Sequence, residues 1–308
     1  MKKPKRHHWW PMTQSRLWTA ADGLVSVTRS DGSTFRANPL NIGVESELYT
    51  RFGAQDGKDA AIEEWFAEAI DGPANAMISH LLDPGNVSRR PFRGNAAKAE
   101  TARTLGFRVT GDIDEVHVPP EVRRVISQYL AALLVRNPSY LAKLTDFHAL
   151  DTSSVREARN RALDNMLYLY RVYSERIAGS VFIVTRRGGT SEYLYADGGI
   201  VAEEPWRTEH GIPFDIHAPL TPDVAIQVLP VPLDGTDDLA RAALVEVTNQ
   251  GVSRQNRIIL GSALRFVFSR QAPPVAFIAR HFGRPAPRNI GYRVVNGRLE
   301  TKYDPSRK

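Results

Sequence analysis

The chain has 308 residues, 42% hydrophobic and 24% charged, enough for one large globular domain or two small ones. It has no cysteine, which excludes disulfides, thiolate metal sites, iron–sulfur clusters and cysteine nucleophiles. The net charge of +6 sits at the two ends: residues 1–20 carry five basic and no acidic side chains, residues 271–308 eight basic and two acidic, and the middle is acidic on balance.

If those ends meet in space they make one basic face that can hold the phosphates of a nucleic acid; if they do not, they are solvated tails. No apolar run reaches the roughly 18 residues that a membrane span needs. Met1-Lys2-Lys3-Pro4-Lys5-Arg6 leads into histidine and tryptophan rather than a signal core, so the expected location is the cytoplasm, with no membrane partner. The oligomeric state is not legible.

In chain order, Leu24–Thr28 alternates apolar and polar, Ser30-Asp31-Gly32 supplies a turn and Ser33–Arg36 returns, which predicts a hairpin. Residues 59–82 predict a helix with Ile62, Trp65, Phe66, Ala69 and Ile70 on one face, kinked or broken at Pro73. A basic loop with Arg89, Arg90, Arg93 and Lys98 follows, with a short helix expected around 96–105. Pro119-Pro120 opens the clearest helix, its stripe running from Val122 to Leu134, and Asn137-Pro138 ends it. A shorter helix is predicted from Ser139 to about His148, and a long one from the caps at 151–154 to about Ile177.

The texture then changes. Val181–Val184, Tyr193–Ala196 and Ala225–Leu229 predict short strands. Asp237-Asp238 predicts the start of a helix through about Thr248, with another over Ser253–Ala263 and a last core strand at Arg265–Phe268. Asn296-Gly297 is a hairpin signal inside a Pro- and Arg-rich tail. The order of elements predicts an α+β fold: an N-terminal β-hairpin, a helical middle region, and a C-terminal mixed sheet with helices. The expected boundaries are one domain over 1–270 and a basic extension over 271–308.

The sharpest motif is His7-His8-Trp9-Trp10-Pro11. On an extended strand the two histidines point to opposite sides, so one can face a site while the other faces core or solvent. With Asn41-Ile42-Gly43-Val44-Glu45, the Leu48-Tyr49-Thr50 close, an acidic helix from Glu63-Glu64 through Leu82, Arg136-Asn137-Pro138, Asp197, Pro219-Leu220-Thr221-Pro222, Asn249, Asn256 and Arg265–Phe268, the chain resembles the bacterial family catalogued as domain of unknown function 4238. The resemblance covers about residues 5–270 and rests on the order of short motifs. Two departures stand out: Gly198-Gly199 follows Asp197 where the family has Asn-Pro, and Pro11–Leu17 lacks the aromatic-rich segment that usually follows the histidines. The resemblance implies no activity, since none is established for that family.

Three readings of the polar residues follow. The His-His strand, hairpin and Asn-containing loop resemble the ββα-metal nucleases. That resemblance implies a metal-assisted phosphodiester hydrolase with His8 as base, and His7, Asn41 or Glu45 near Mg or Mn. As the leading enzymatic reading it takes His8 as base with His7, Glu45 and Asp197 around the divalent ion. There is no second histidine at helical spacing after Asn41, so Glu45 would replace it. A second reading assembles His7 or His8, Glu45, Asp197 and Asn249 from distant segments, with Asp197 catalytic and exposed after a strand. The third is a non-catalytic binding or sensing module, accessory to a defence or mobile-element locus. Its histidines, Tyr49 and Arg136 would form a buried polar network, Arg136 pairing with a carboxylate.

Overall fold

The computed structural model describes residues 6–53, 57–91, 100, 103, 106–108, 111–202, 216–229, 239–284, 290–295 and 298–303. The chain opens with strand β1 (Arg6–His8), helix α1 (Met12–Arg16) and the expected hairpin, β2 (Val25–Arg29) and β3 (Thr34–Ala37). Strand β4 (Val44–Ser46) pairs antiparallel with β1, setting His7 opposite Glu45. Strands β5 (Arg51–Phe52) and β6 (Lys58–Asp59) form a small ladder of their own.

Residues 61–82 are helical throughout, as α2 (Ala61–Trp65), a π-turn (Phe66–Asp71) and α3 (Gly72–Leu82). Pro73, expected to kink or end this helix, does not end it: the helical run continues to Leu82. A proline has no amide hydrogen for the carbonyl four residues back, and its ring crowds that carbonyl. The wide π-turn just before it loosens the ladder, so the helix runs on. The burial pattern carries the same signature. Ile62, Phe66, Ile70 and Ala74 recur every four residues, longer than the 3.6-residue period, and all four are buried.

Next come β7 (Val87–Pro91) and β8 (Asp112–His117), then the helical middle: α4 (Pro120–Val135), α5 (Pro138–Ala149) and α6 (Val155–Ala178). The Ser154 hydroxyl caps α6 by accepting the Glu157 amide at 3.3 Å. Arg123, buried on α4, ties the middle to the sheet: its guanidinium donates to the carbonyls of Ala178, Ser180 and Leu239 and lies 4.2 Å from the Phe182 ring. The short helix expected around 96–105 lies largely outside the described residues.

The remainder is β9 (Val181–Arg187), β10 (Tyr195–Ala196), β11 (Val201–Ala202), β12 (Ile216–Pro219), β13 (Val224–Leu229), β14 (Arg241–Val247), α7 (Asn249–Ser262), β15 (Phe266–Ser269), α8 (Val275–His281), β16 (Ile290–Val295) and β17 (Arg298–Tyr303). A seven-stranded mixed sheet runs β11-β12-β13-β9-β14-β8-β7, antiparallel except for the parallel pair β9–β14. A four-stranded antiparallel sheet, β10-β15-β2-β3, joins the N-terminal hairpin to the C-terminal third. The fold is α+β. One expectation is corrected: 241–247 is a strand, not a helix. Ladder bonds to β8 on one side and β9 on the other hold it extended, and over 241–244 buried Ala242 and Leu244 alternate with the more exposed Arg241 and Ala243. The residues after 270 also add to the body, since Ile278 of α8 is fully buried among Ile259, Leu260 and Val267. β16 and β17 pair in the register the Asn-Gly signal implies, although 296–297 lie outside the described residues.

His217 on β12 is 4% exposed, and neither ring nitrogen has a hydrogen-bond partner. Burial depresses its pKa to about 3. The folded chain therefore keeps it neutral, while the unfolded chain protonates it below about pH 6.5. Its share of stability is complete above that pH and declines as pH falls towards 3. From pH 7 to pH 5 the loss is up to about 2 kcal/mol. Urea unfolding of His217→Leu should show that much less acid sensitivity over this interval; equal slopes would rule the account out.

Candidate functional site

Arg136 sits at the C-terminus of α4, where Pro138 prevents the helix from continuing. Its side chain is 1% exposed. Nη1 donates to Asp71 Oδ1 at 2.6 Å, and Nη2 donates to the His8 carbonyl. The guanidinium lies 4.5 Å from the Phe66 ring centroid and 5.9 Å from that of Tyr49. The Tyr49 hydroxyl donates to the Arg136 carbonyl. Burial opposes the charge, but Asp71, Tyr49 and Glu63 outweigh it and raise the Arg136 pKa. Asp71 is the last residue of the π-turn, so the widened ladder that accommodates Pro73 also ends on the carboxylate that meets Arg136.

The two histidines have different surroundings. His7 is fully buried, its Nδ1 accepts the Tyr49 amide at 2.9 Å, and its ring stacks on Tyr49 at 5.8 Å. His8 is half-buried. Its amide donates to Glu63 Oε1 at 3.2 Å, and its Nε2 has no partner. Burial, then the charges of Arg136 and Arg6, lower the His8 pKa against the opposing pull of Asp71 and the Leu40 backbone. Burial raises that of Glu63 despite Arg136 and the His8 amide. The result is a neutral imidazole beside a weakened acid.

Next to the histidines, Trp10 stacks on Tyr195 at 4.6 Å and packs on Phe268 at 4.8 Å. Its indole donates to Gln14 Oε1, and Gln14 donates in turn to the Pro219 carbonyl. Gly43 has φ of 62°, and a Cβ there would meet the Trp10 Cβ at 2.5 Å, so only glycine fits this approach. The amides of Trp9 and Trp10 both donate to the Gly43 carbonyl.

The other candidates lie apart from this network or at its rim. Glu45 is exposed, and its charge bears on Arg159. Asn41 is exposed and accepts from Arg6 at 3.2 Å. Both carboxylate oxygens of Asp197 are taken by backbone amides, Leu264 at 2.7 Å and Arg265 at 2.8 Å. The Asp197 carbonyl accepts from Asn137 at 2.8 Å. Burial raises the Asp197 pKa, although those amides and Arg265 hold it down. A Cβ on Gly198 would fall 1.7 Å from the Ser262 carbonyl, which explains glycine in this turn. Asn249 Oδ1 accepts the Ser191 amide at 2.9 Å, and Asn256 holds the Glu192 carbonyl and the Leu194 amide. These two α7 asparagines therefore fasten the loop ahead of β10.

Among the described residues no three His, Asp or Glu side chains converge as a metal site. Of the expected grouping around Mg or Mn, Glu45 stands opposite His7 across the β1–β4 ladder but is exposed, and Asp197 is bonded to the Leu264 and Arg265 amides and fastens a loop. The structure does bring together His7, His8, Tyr49 and Arg136. It adds Asp71, which sequence reasoning missed, and Glu63, which the sequence marked only as part of an acidic helix. Also missed was a second ionic seam, in which Arg270 donates to Asp223 at 2.7 and 2.9 Å and to Glu192 at 2.8 Å. Nothing in the residue pattern marked these carboxylates, because their partners are 47 to 78 positions away. No family model, curated protein or solved structure matches the chain, so the resemblance described above rests on its motifs alone.

Asp71→Asn leaves the Arg136 charge buried without its counter-ion and should cost about 3–5 kcal/mol of unfolding free energy in urea. The double variant Asp71→Asn with Arg136→Met should recover part of that loss. A single variant within about 0.5 kcal/mol of the parent would show that the pair does not hold the fold.

Proposed function

We propose that this chain is a non-catalytic binding module for nucleic acid, working in the cytoplasm. The observation that carries this reading is where the polar side chains are spent. The His7 Nδ1 lone pair, the His8 carbonyl, the Arg136 guanidinium and the Asp197 carboxylate all bond to the chain itself. Groups used this way fix a scaffold. The net charge of +6 then argues for a polyanionic partner.

One observation favours a second reading, the metal-assisted phosphodiester hydrolase. The His8 pKa is lowered and its buried Nε2 has no partner, near the Asp71 and Arg136 charges, which leaves a lone pair able to accept a proton once a substrate or water reaches it. Incubation with duplex DNA and with RNA in Mg or Mn, beside His8→Ala, separates the two. Salt-sensitive complexes with intact nucleic acid are expected from both proteins. Metal-dependent cleavage that disappears in His8→Ala would replace the binding reading with the hydrolytic one.

A further inference from the structure

From Val247 to Leu299 the sequence contains no aspartate or glutamate, yet it carries nine arginines. A run of 53 residues with that balance is unusual in a chain that elsewhere mixes both signs. The fold divides these arginines by role. Arg270 is committed to Asp223 and Glu192, and Arg265 lies 3.8 Å from Asp197. Arg257, Arg280 and Arg284 are exposed, and the ion pairs among the described residues leave all three without a carboxylate.

These three come from two packed segments. Arg257 projects from α7, Arg280 is in the last turn of α8, and Arg284 follows the turn at Gly283, whose amide donates to the Leu260 carbonyl at 2.9 Å. His281 lies among them, with its ring 4.9 Å from that of Phe277. Burial, then the charges of Arg257, Arg280 and Arg284, lower the His281 pKa, so all three guanidinium groups lie within electrostatic reach of one imidazole. Phe277 and Phe282 pack inward on the core around Leu260 and Ile278. The outward face is thus left to the guanidinium groups.

We infer that Arg257, Arg280 and Arg284, around His281, form the surface that holds the phosphate backbone of a nucleic acid. The inference rests on the binding reading above and names the face responsible. Arginine suits this task because its planar fork donates two parallel hydrogen bonds to a phosphate and keeps its charge at any physiological pH. Nucleic acid is favoured over an acidic lipid surface because the aromatic side chains that would enter a bilayer are turned into the core. Contacts of this kind do not read bases, so binding should be independent of sequence and should weaken with salt.

The test measures affinity for a fluorescent duplex DNA across a salt series. It compares the parent chain, the triple variant Arg257→Gln, Arg280→Gln, Arg284→Gln, and a control triple of equal charge change, Arg51→Gln, Arg108→Gln, Arg161→Gln, whose arginines pair with carboxylates. Thermal unfolding checks that all three proteins are folded. The surface triple should lose at least about tenfold in affinity near 0.1 M salt, and its slope of log affinity against log salt should be shallower by about 2. The control should keep most of its affinity. Equal losses in both triples, or none in the surface triple, would overturn the surface while leaving the binding reading in place. No binding by the parent would remove both. Binding to vesicles of phosphatidylserine and phosphatidylcholine, with none to DNA, would reassign the face to a membrane.

Discussion

The structure turns on one buried guanidinium. Arg136 holds the N-terminal strand through the His8 carbonyl, the π-turn through Asp71, and the segment after β4 through the Tyr49 ring and hydroxyl. Three stretches far apart in sequence thus meet at a single cation. A charge buried this deeply is tolerable only where donors find acceptors and a counter-ion is close; here both terminal nitrogens are bonded and Asp71 lies at 2.6 Å, while Nε is left without a partner. The neighbouring Asn137 extends the same junction to the Asp197 carbonyl, so the end of one helix organises both the start of the chain and the entry to β15.

Around this junction the polar residues divide into two populations. Inside, Arg123, Arg136 and Arg270 bond to backbone carbonyls or to carboxylates and join separate elements. Outside, Arg257, Arg280 and Arg284 face solvent in a segment that has no acid to balance them. The same residue type does opposite work according to what surrounds it. A fork with acceptors on every side is a cross-link; one facing water beside two others is a source of positive potential.

Legibility from the sequence followed the range of the interactions. The hairpin at 25–37 and the helices at 120–135 and 155–178 were readable because a turn glycine, a leading proline and a serine cap act within a few residues. That Arg136 seeks a carboxylate was readable as well. Which carboxylate it takes was not, because Asp71 is 65 positions away and is presented by a π-turn with no simple local signature. Residues 241–247 read as a helix because the preceding aspartates suggest a cap and Ala-Ala-Leu-Val suits either state. Two flanking strands settled the matter, and a local pattern cannot show them. Asp197 looked exposed and reactive by its place after a strand, whereas the amides that occupy it belong to residues 264 and 265.

The position of Trp10 bears on how the chain is made. Its ring rests on Tyr195 and Phe268, and its indole reaches Pro219 through Gln14, so a large part of what buries it is supplied by the last half of the sequence. At ordinary elongation rates roughly 250 residues must follow before Phe268 exists, a delay on the order of tens of seconds. For that interval the segment with Trp9, Trp10 and Trp18 has left the ribosome without the surfaces that bury it. An aromatic N-terminal segment waiting on a C-terminal strand is the sort of client that chaperones hold. Such a chain completes its tertiary structure only after synthesis, however early its helices form.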